Sequence, residues 1–266
     1  MRKKIKLLVR RLKNKIKEDK TTFIVYLILR ALVILCMIRE VLLGNYLNAG
    51  LCVLSLVLFL VPTFFEEKFK VDIPTVFEIV IMLFIFSAEI LGEINNFYMR
   101  IPYWDMILHT LNGFLAAAVG YSLVYLLNEN SEKVNLSPIF VSLVAICFSM
   151  TIGVLWEFFE FGMDQTFKLD MQKDSYTSNI YTVDLDPDLT NDVIAVNDID
   201  KTILYDKDGN ILAQFNGFID IGLSDTMFDM GVNFIGAIVF GFLGYFYMKN
   251  KDGLKFADKF IIKAKI

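Results

Sequence analysis

The sequence predicts an all-α polytopic membrane protein, with six transmembrane helices and a small β-hairpin-containing extracytoplasmic insertion. Three observations predict it. The chain is 56% hydrophobic over 266 residues, above the roughly 45–50% usual for soluble domains. Several apolar runs approach the length of about 20 residues that crosses a hydrocarbon core of about 30 Å. These runs are continuous rather than alternating, which argues against a β-barrel.

Residues 1–20 carry ten Lys/Arg, and Ile5, Leu8, Val9, Leu12 and Ile16 fall on one helical face. Segment 1–21 therefore reads as a basic amphipathic cytoplasmic helix lying on anionic membrane lipids. Its long charged stretch and the lack of a small-residue cleavage site do not fit a secretory signal.

The spans are expected at 22–43, 46–65, 75–93, 104–127, 138–161 and 225–248, so residues 22–161 hold transmembrane helices 1–5 and 225–248 the sixth. Segment 162–224 is an acidic extracytoplasmic loop, and 249–266 is a basic cytoplasmic tail. With the N-terminus in the cytoplasm, the inside segments hold 19 Lys/Arg and the outside segments five. The positive-inside rule favours this orientation, with both termini cytoplasmic. Trp104 and Trp156 agree with it, since both land at outer helix ends as interfacial anchors. Cys36, Cys52 and Cys147 lie inside apolar runs and read as small buried hydrophobes rather than disulfide or metal residues.

Within the loop, TILYDKDGNILAQF at 202–215 places two β-prone runs around Asp208-Gly209 and reads as a hairpin with its turn at 207–210. Asp184, Asp186 and Asp188 have calcium-loop spacing. They lack the Gly and distal Glu of an EF-hand, which favours a solvated acidic loop.

Most ionisable residues of the spans fall at one depth. His109 is the single histidine of the chain, and Asp105 precedes it by four positions, with Asn112 on the next turn of that face. Glu157, Glu160 and Asp164 follow i, i+3, i+7. Asp225, Asp229 and Asn233 follow i, i+4, i+8, and Glu89 and Glu93 end span three. Each helix thus shows one polar face near its outer end. Glycines 113, 120, 153, 236 and 241 allow close helix approach. Arg39 lies at the same level, facing either the cluster or a lipid phosphate. Arg30, near mid-span, is expected to pair inside the bundle, and Glu78 is a helix-start charge.

Ionisable groups inside a bilayer are costly and point to function. Clustered carboxylates repel unless protonated or neutralised by a cation. Asp105, His109, Glu157, Glu160, Asp225 and Asp229 are the candidate metal ligands, with His109, Glu157 and Asp229 as the candidate catalytic groups. Carboxylates with one imidazole suit Zn²⁺, Mn²⁺, Fe²⁺ or Mg²⁺. The same set could relay protons without a metal.

The motifs DMILHTLNG (105–113), WEFFEF (156–161) and DTMFDMGVNFIGA (225–237) resemble those of the uncharacterised YjdF-type inner-membrane proteins and, more distantly, of VanZ-like membrane proteins. The resemblance covers roughly 89–245. It implies that Asp105, His109, Glu157, Glu160, Asp225, Asp229 and Asn233 are signature positions, and that the protein is a multi-pass component of the bacterial plasma (inner) membrane. It supplies no activity.

Three readings follow. The first is an outward-facing, metal-assisted enzyme or binding site acting on a lipid-linked or envelope substrate. The second is a transporter of protons, cations or a small solute. The third is a structural or partner-binding envelope protein. Few polar residues continue below the cluster, so it reads as a cup opening outward. No nucleophile motif or phosphate loop appears, and nothing points to nucleic acid.

Overall fold

A computed structural model describes residues 20–129, 135–250 and 255–265. Of the amphipathic segment expected at 1–21, only Lys20 and Thr21 are among them, as the start of the first helix; the rest of that expectation lies outside the described residues. Among the described residues, six helical segments are long and apolar enough to cross a membrane, the second with a break inside it. The chain divides into two compact units, one running to Gly153 and resuming at Val232, the other spanning Val154–Gly231.

The first unit opens with α1 (Lys20–Leu42) and α2 (Tyr46–Leu58), joined by a turn at Gly44. The expected second span is interrupted rather than continuous. A second helix, α3 (Val61–Phe69), begins with Pro62 in its first turn and ends at Lys70, which is left-handed. A proline supplies no N–H to the helix ladder, so the break falls just before it. Strand β1 (Val71–Asp72) and helix α4 (Thr75–Ile85) follow.

The third span then changes register, and residues Phe86–Ile94 form a π-helix. Its end is fixed by Asn95, whose backbone N and side-chain Nδ2 both donate to the Ile90 carbonyl, at 3.2 and 2.5 Å. Arg39 Nη1 donates in turn to Asn95 Oδ1 at 3.3 Å. Arg39 also grips Glu40, with Nε at 2.7 Å and Nη2 at 2.6 Å from Oε1. Glu40 is buried and takes further bonds from Asn45 (3.1 Å) and Asn48 (3.0 Å). Arg39 therefore ties the α1–α2 turn to the π-helix. Arg30 departs from expectation: its Nε has no hydrogen-bond partner among the described residues, and the guanidinium lies over the Tyr26 ring at 4.1 Å. Glu78, expected as a plain helix-start charge, is buried in the first turn of α4.

A short helix, α5 (Phe97–Arg100), leads into α6 (Trp104–Glu129). Helices α7 (Pro138–Phe167) and α8 (Leu223–Lys249) begin or end in the second unit and run unbroken into the first. Small residues let α6, α7 and α8 approach closely. A Cβ on Gly113 would strike the Asn233 carbonyl, and one on Gly236 would strike that of Thr110. Leu115, Ala118, Tyr121, Ala145 and Phe240 from these helices share one core with Phe77 of α4. Cys52 is buried in a second core with Leu29, Val33 and Met82, whereas Cys147 lies on an exposed face, contrary to expectation.

Within the expected basic tail, the described residues after 254 pack back on the rest of the first unit. After α9 (Lys255–Asp258), strand β8 (Lys263–Ala264) pairs antiparallel with β1, matching Val71 to Ala264 and Asp72 to Lys263. Phe260, Ile261 and Ile262 are buried. Phe260 packs edge-on to Phe114 at 5.1 Å and to Phe77 at 5.9 Å. The Ile262 N–H donates to Ser122 Oγ at 2.9 Å. Side chains of this kind contribute roughly 1.5–3 kcal/mol each when fully buried, enough to hold the segment down while its lysines stay in solvent.

In the second unit the insertion forms three two-stranded antiparallel ladders: β2 (Ser175–Thr177) with β7 (Phe218–Asp220), β3 (Ile180–Thr182) with β4 (Ile194–Val196), and β5 (Lys201–Tyr205) with β6 (Ile211–Asn216). The last pair is the expected hairpin. Its turn is Asp206–Asn210: Asp206 Oδ1 accepts from the N–H groups of Asp208 (2.9 Å) and Asn210 (2.8 Å), and Gly209 takes the positive φ of 85°. Asn210, donating to the Asp206 side chain, holds that carboxyl below the usual range. The acidic stretch at 184–192 is organised rather than simply solvated. Asp186 is buried and accepts from the N–H groups of Asp188, Thr190 and Asp192.

Candidate functional site

In the first unit the site begins at the start of α6. Asp105 lies in the first turn, where the helix dipole favours an anion. His109, one turn further in, is buried, and its Nε2 stands 3.5 Å from Asp105 Oδ1. Two ligands on metal bonds of about 2.0–2.2 Å at a tetrahedral angle lie roughly 3.3–3.6 Å apart. The pair therefore has the separation of two ligands on one ion, as well as that of a carboxylate–imidazole contact.

The next turn of α6 carries Asn112. Its Nδ2 donates to Asn233 Oδ1 on α8 at 3.1 Å. Asn233, at 1% exposure, donates from its own Nδ2 toward the Ser149 carbonyl on α7 at 3.5 Å. Ser149 Oγ donates back to the Gly113 carbonyl of α6 at 2.8 Å. Three helices thus meet in a polar knot, buried at Asn233 and Ser149 and half-buried at Asn112. Along it α6 and α8 run parallel, because Gly113 packs on Asn233 while Tyr121 Oη donates to the Gly244 carbonyl at 2.8 Å.

In the second unit the acidic faces of α7 and α8 have separable roles. Glu157, Glu160 and Asp229 are buried, Asp229 to 2% exposure. Trp156 Nε1 donates to Glu160 Oε1 at 2.8 Å. Asp164 and Asp225 anchor the loop. Asp164 accepts from the N–H groups of Met171 (2.7 Å) and Gln172 (2.9 Å), and Asp225 Oδ2 accepts from that of Lys173 at 2.7 Å. Asp220, ahead of α8, receives the N–H groups of Leu223 and Ser224 as a helix cap. Helix α7 runs on to Phe167, six residues past the expected end of span five, because nothing in FGMDQTF breaks it before left-handed Lys168.

Sequence reasoning missed three things that shape this region. Ser149 looks like any small polar residue in an apolar run. Glu40 was hidden beside Arg39, although Asn45 and Asn48 nearby were a signal. The π-helix that carries Glu89 and Glu93 leaves no signature in hydropathy.

Six membrane-length helical segments among the described residues, with buried carboxylates and a buried imidazole, define a polytopic membrane protein. The chain matches the family described as "Predicted membrane protein (DUF2238)" over residues 21–250, and it belongs to that family. It is also 30% identical over 104 residues to an uncharacterized protein of Thermotoga maritima, a match that covers 39% of this chain and 52% of that protein. The chain therefore spans about half the length of this relative. No solved structure matches it.

Proposed function

We propose that Asp105, His109, Glu157, Glu160, Asp225 and Asp229 hold a divalent cation, Zn²⁺, Mn²⁺, Fe²⁺ or Mg²⁺, at the outer face of the bacterial plasma membrane. There they act on, or bind, a lipid-linked or envelope substrate. The observation that carries this reading is the Asp105–His109 pair, a buried imidazole held 3.5 Å from a carboxylate in a membrane helix. Helices α7 and α8 support it: they carry three further buried acids, and they also carry Ser149 and Asn233, which are bonded to α6 one turn beyond His109. Several carboxylates in a dry setting cannot all remain ionised without a cation or shared protons. When bound, the ion would supply a Lewis acid that polarises a phosphoryl oxygen or activates water. The chain's own part is to fix the ligands on three helices. The likeness of the three motifs to YjdF-type and VanZ-like proteins fits an envelope role without naming a reaction.

The test is metal analysis of the detergent-purified protein beside His109→Ala. The reading expects about one equivalent of one of these four metals in the wild type and its loss in the variant. Metal-free wild type that also fails to gain thermal stability on Zn²⁺ or Mn²⁺ addition would overturn it.

A further inference from the structure

The amide chain beside His109, buried at Asn233 and half-buried at Asn112, has a direction. Its far end is the Ser149 backbone carbonyl, which can only accept. Asn233 must therefore turn its NH₂ toward Ser149, at 3.5 Å, with the Met150 sulfur at 3.7 Å as a second acceptor. That leaves Asn233 Oδ1 pointing back, and Asn112 has to meet it with its own NH₂, as it does at 3.1 Å. Which end of an amide is nitrogen is decided by such networks, and here one backbone oxygen decides both residues. The remaining group is Asn112 Oδ1, a carbonyl oxygen on the far side of its amide from Asn233. Asn112 is three residues beyond His109 and seven beyond Asp105, so all three lie along one stripe of α6.

We propose that Asn112 offers this oxygen as a neutral ligand to the cation held by Asp105 and His109, making the donor set on α6 carboxylate, imidazole and carbonyl. The inference rests on the cation-site reading. Ser149 and Asn233 are then positioning residues that keep the amide from flipping and showing the metal an N–H group.

The experiment titrates Mn²⁺ and Co²⁺ into metal-stripped protein, comparing wild type with Asn112→Leu, Asn112→Asp and Asn233→Leu, each with its Tm. All three variants should melt lower, because each cuts the Asn112–Asn233 bond. Asn112→Leu should weaken Mn²⁺ binding about tenfold or more. Asn112→Asp, which keeps an oxygen, should not weaken it, and Asn233→Leu should fall between. If Asn112→Leu binds Mn²⁺ as tightly as wild type, Asn112 merely joins helices; the inference fails and the cation reading stands. Wild type with no saturable binding of either ion overturns both. Should the leucine variant not fold, the visible bands of bound Co²⁺ in Asn112→Asp decide: unchanged bands overturn the proposal, and shifted bands support a changed ligand.

Discussion

Trp156 Nε1 donates to Glu160 Oε1 at 2.8 Å, one helical turn away. This places an indole against one of the proposed ligands, and the chain has only one other tryptophan. In a Trp104→Phe background, emission should therefore come from Trp156 alone. Saturating Mn²⁺ or Zn²⁺ should change its intensity or wavelength, and the response should vanish in Glu160→Ala. A metal-bound wild type with unaltered Trp156 emission would separate Glu160 from the ion.

Loss of a true ligand should cost more than loss of a supporting contact. Outer partners of metal ligands typically cost about 10–100-fold in affinity when removed. His109→Ala and Asp229→Ala are expected to exceed that range in Zn²⁺ titrations by calorimetry. Ser149→Ala, which removes only the bond to the Gly113 carbonyl, should stay within or below it.

Gly113 and Gly236 are sites where a single methyl is too large, since each would meet a backbone carbonyl of the neighbouring helix. Overpacking of this kind costs typically 1–3 kcal/mol. Gly113→Ala and Gly236→Ala should each lower Tm in detergent clearly, while Gly162→Ala, which meets open space, should not.

The spans were legible in the sequence because lipid demands long apolar runs, and the 202–215 hairpin because Asp-Gly between β-prone runs has few other solutions. The candidate site was legible as helix faces, since i, i+3 and i+4 spacings survive any packing. What the sequence hid depends on distant partners. The π-helix ends where Asn95 turns back on Ile90, and Asn95 is held by Arg39, 56 residues away. The segment FIIKAKI reads as basic because its lysines interrupt the apolar residues, although Phe260, Ile261 and Ile262 all face the core. Asp186 reads as solvated because nothing local shows that the loop's own amides will surround it.

That C-terminal segment should respond to acid. Lys263, donating to Asp258 at 2.8 Å, together with Tyr247 at 2.9 Å, holds the Asp258 carboxyl below its usual range. A depressed carboxylate adds stability that is present above its unfolded pKa of about 3.9 and is lost as pH falls through the folded value. Docking should therefore be constant from neutral pH down to about 4 and weaken below it. Hydrogen exchange at the Ile262 amide, which is bonded to Ser122, should speed up beyond its intrinsic rate only in that acid range. Asp258→Asn should raise that exchange at neutral pH and remove the acid step.

Orientation is open to direct measurement at Leu189, the loop residue with 90% exposure. A Leu189→Cys variant on a cysteine-free background should react with a membrane-impermeant maleimide in intact cells. Labelling only after permeabilisation would invert the proposed topology.

The pairing of β8 with β1 and of Ile262 with Ser122 also bears on how the chain is made. Residues 255–264 leave the ribosome after the six described spans have been synthesised, yet they fill a groove lined by Phe77, Phe114 and Ser122 from the third and fourth spans. Until then that groove has an exposed apolar wall and an unmatched strand edge at Val71–Asp72. The newly inserted bundle thus lacks part of its apolar wall until the last residues arrive, and a stop codon or frameshift before Phe260 would leave it so permanently.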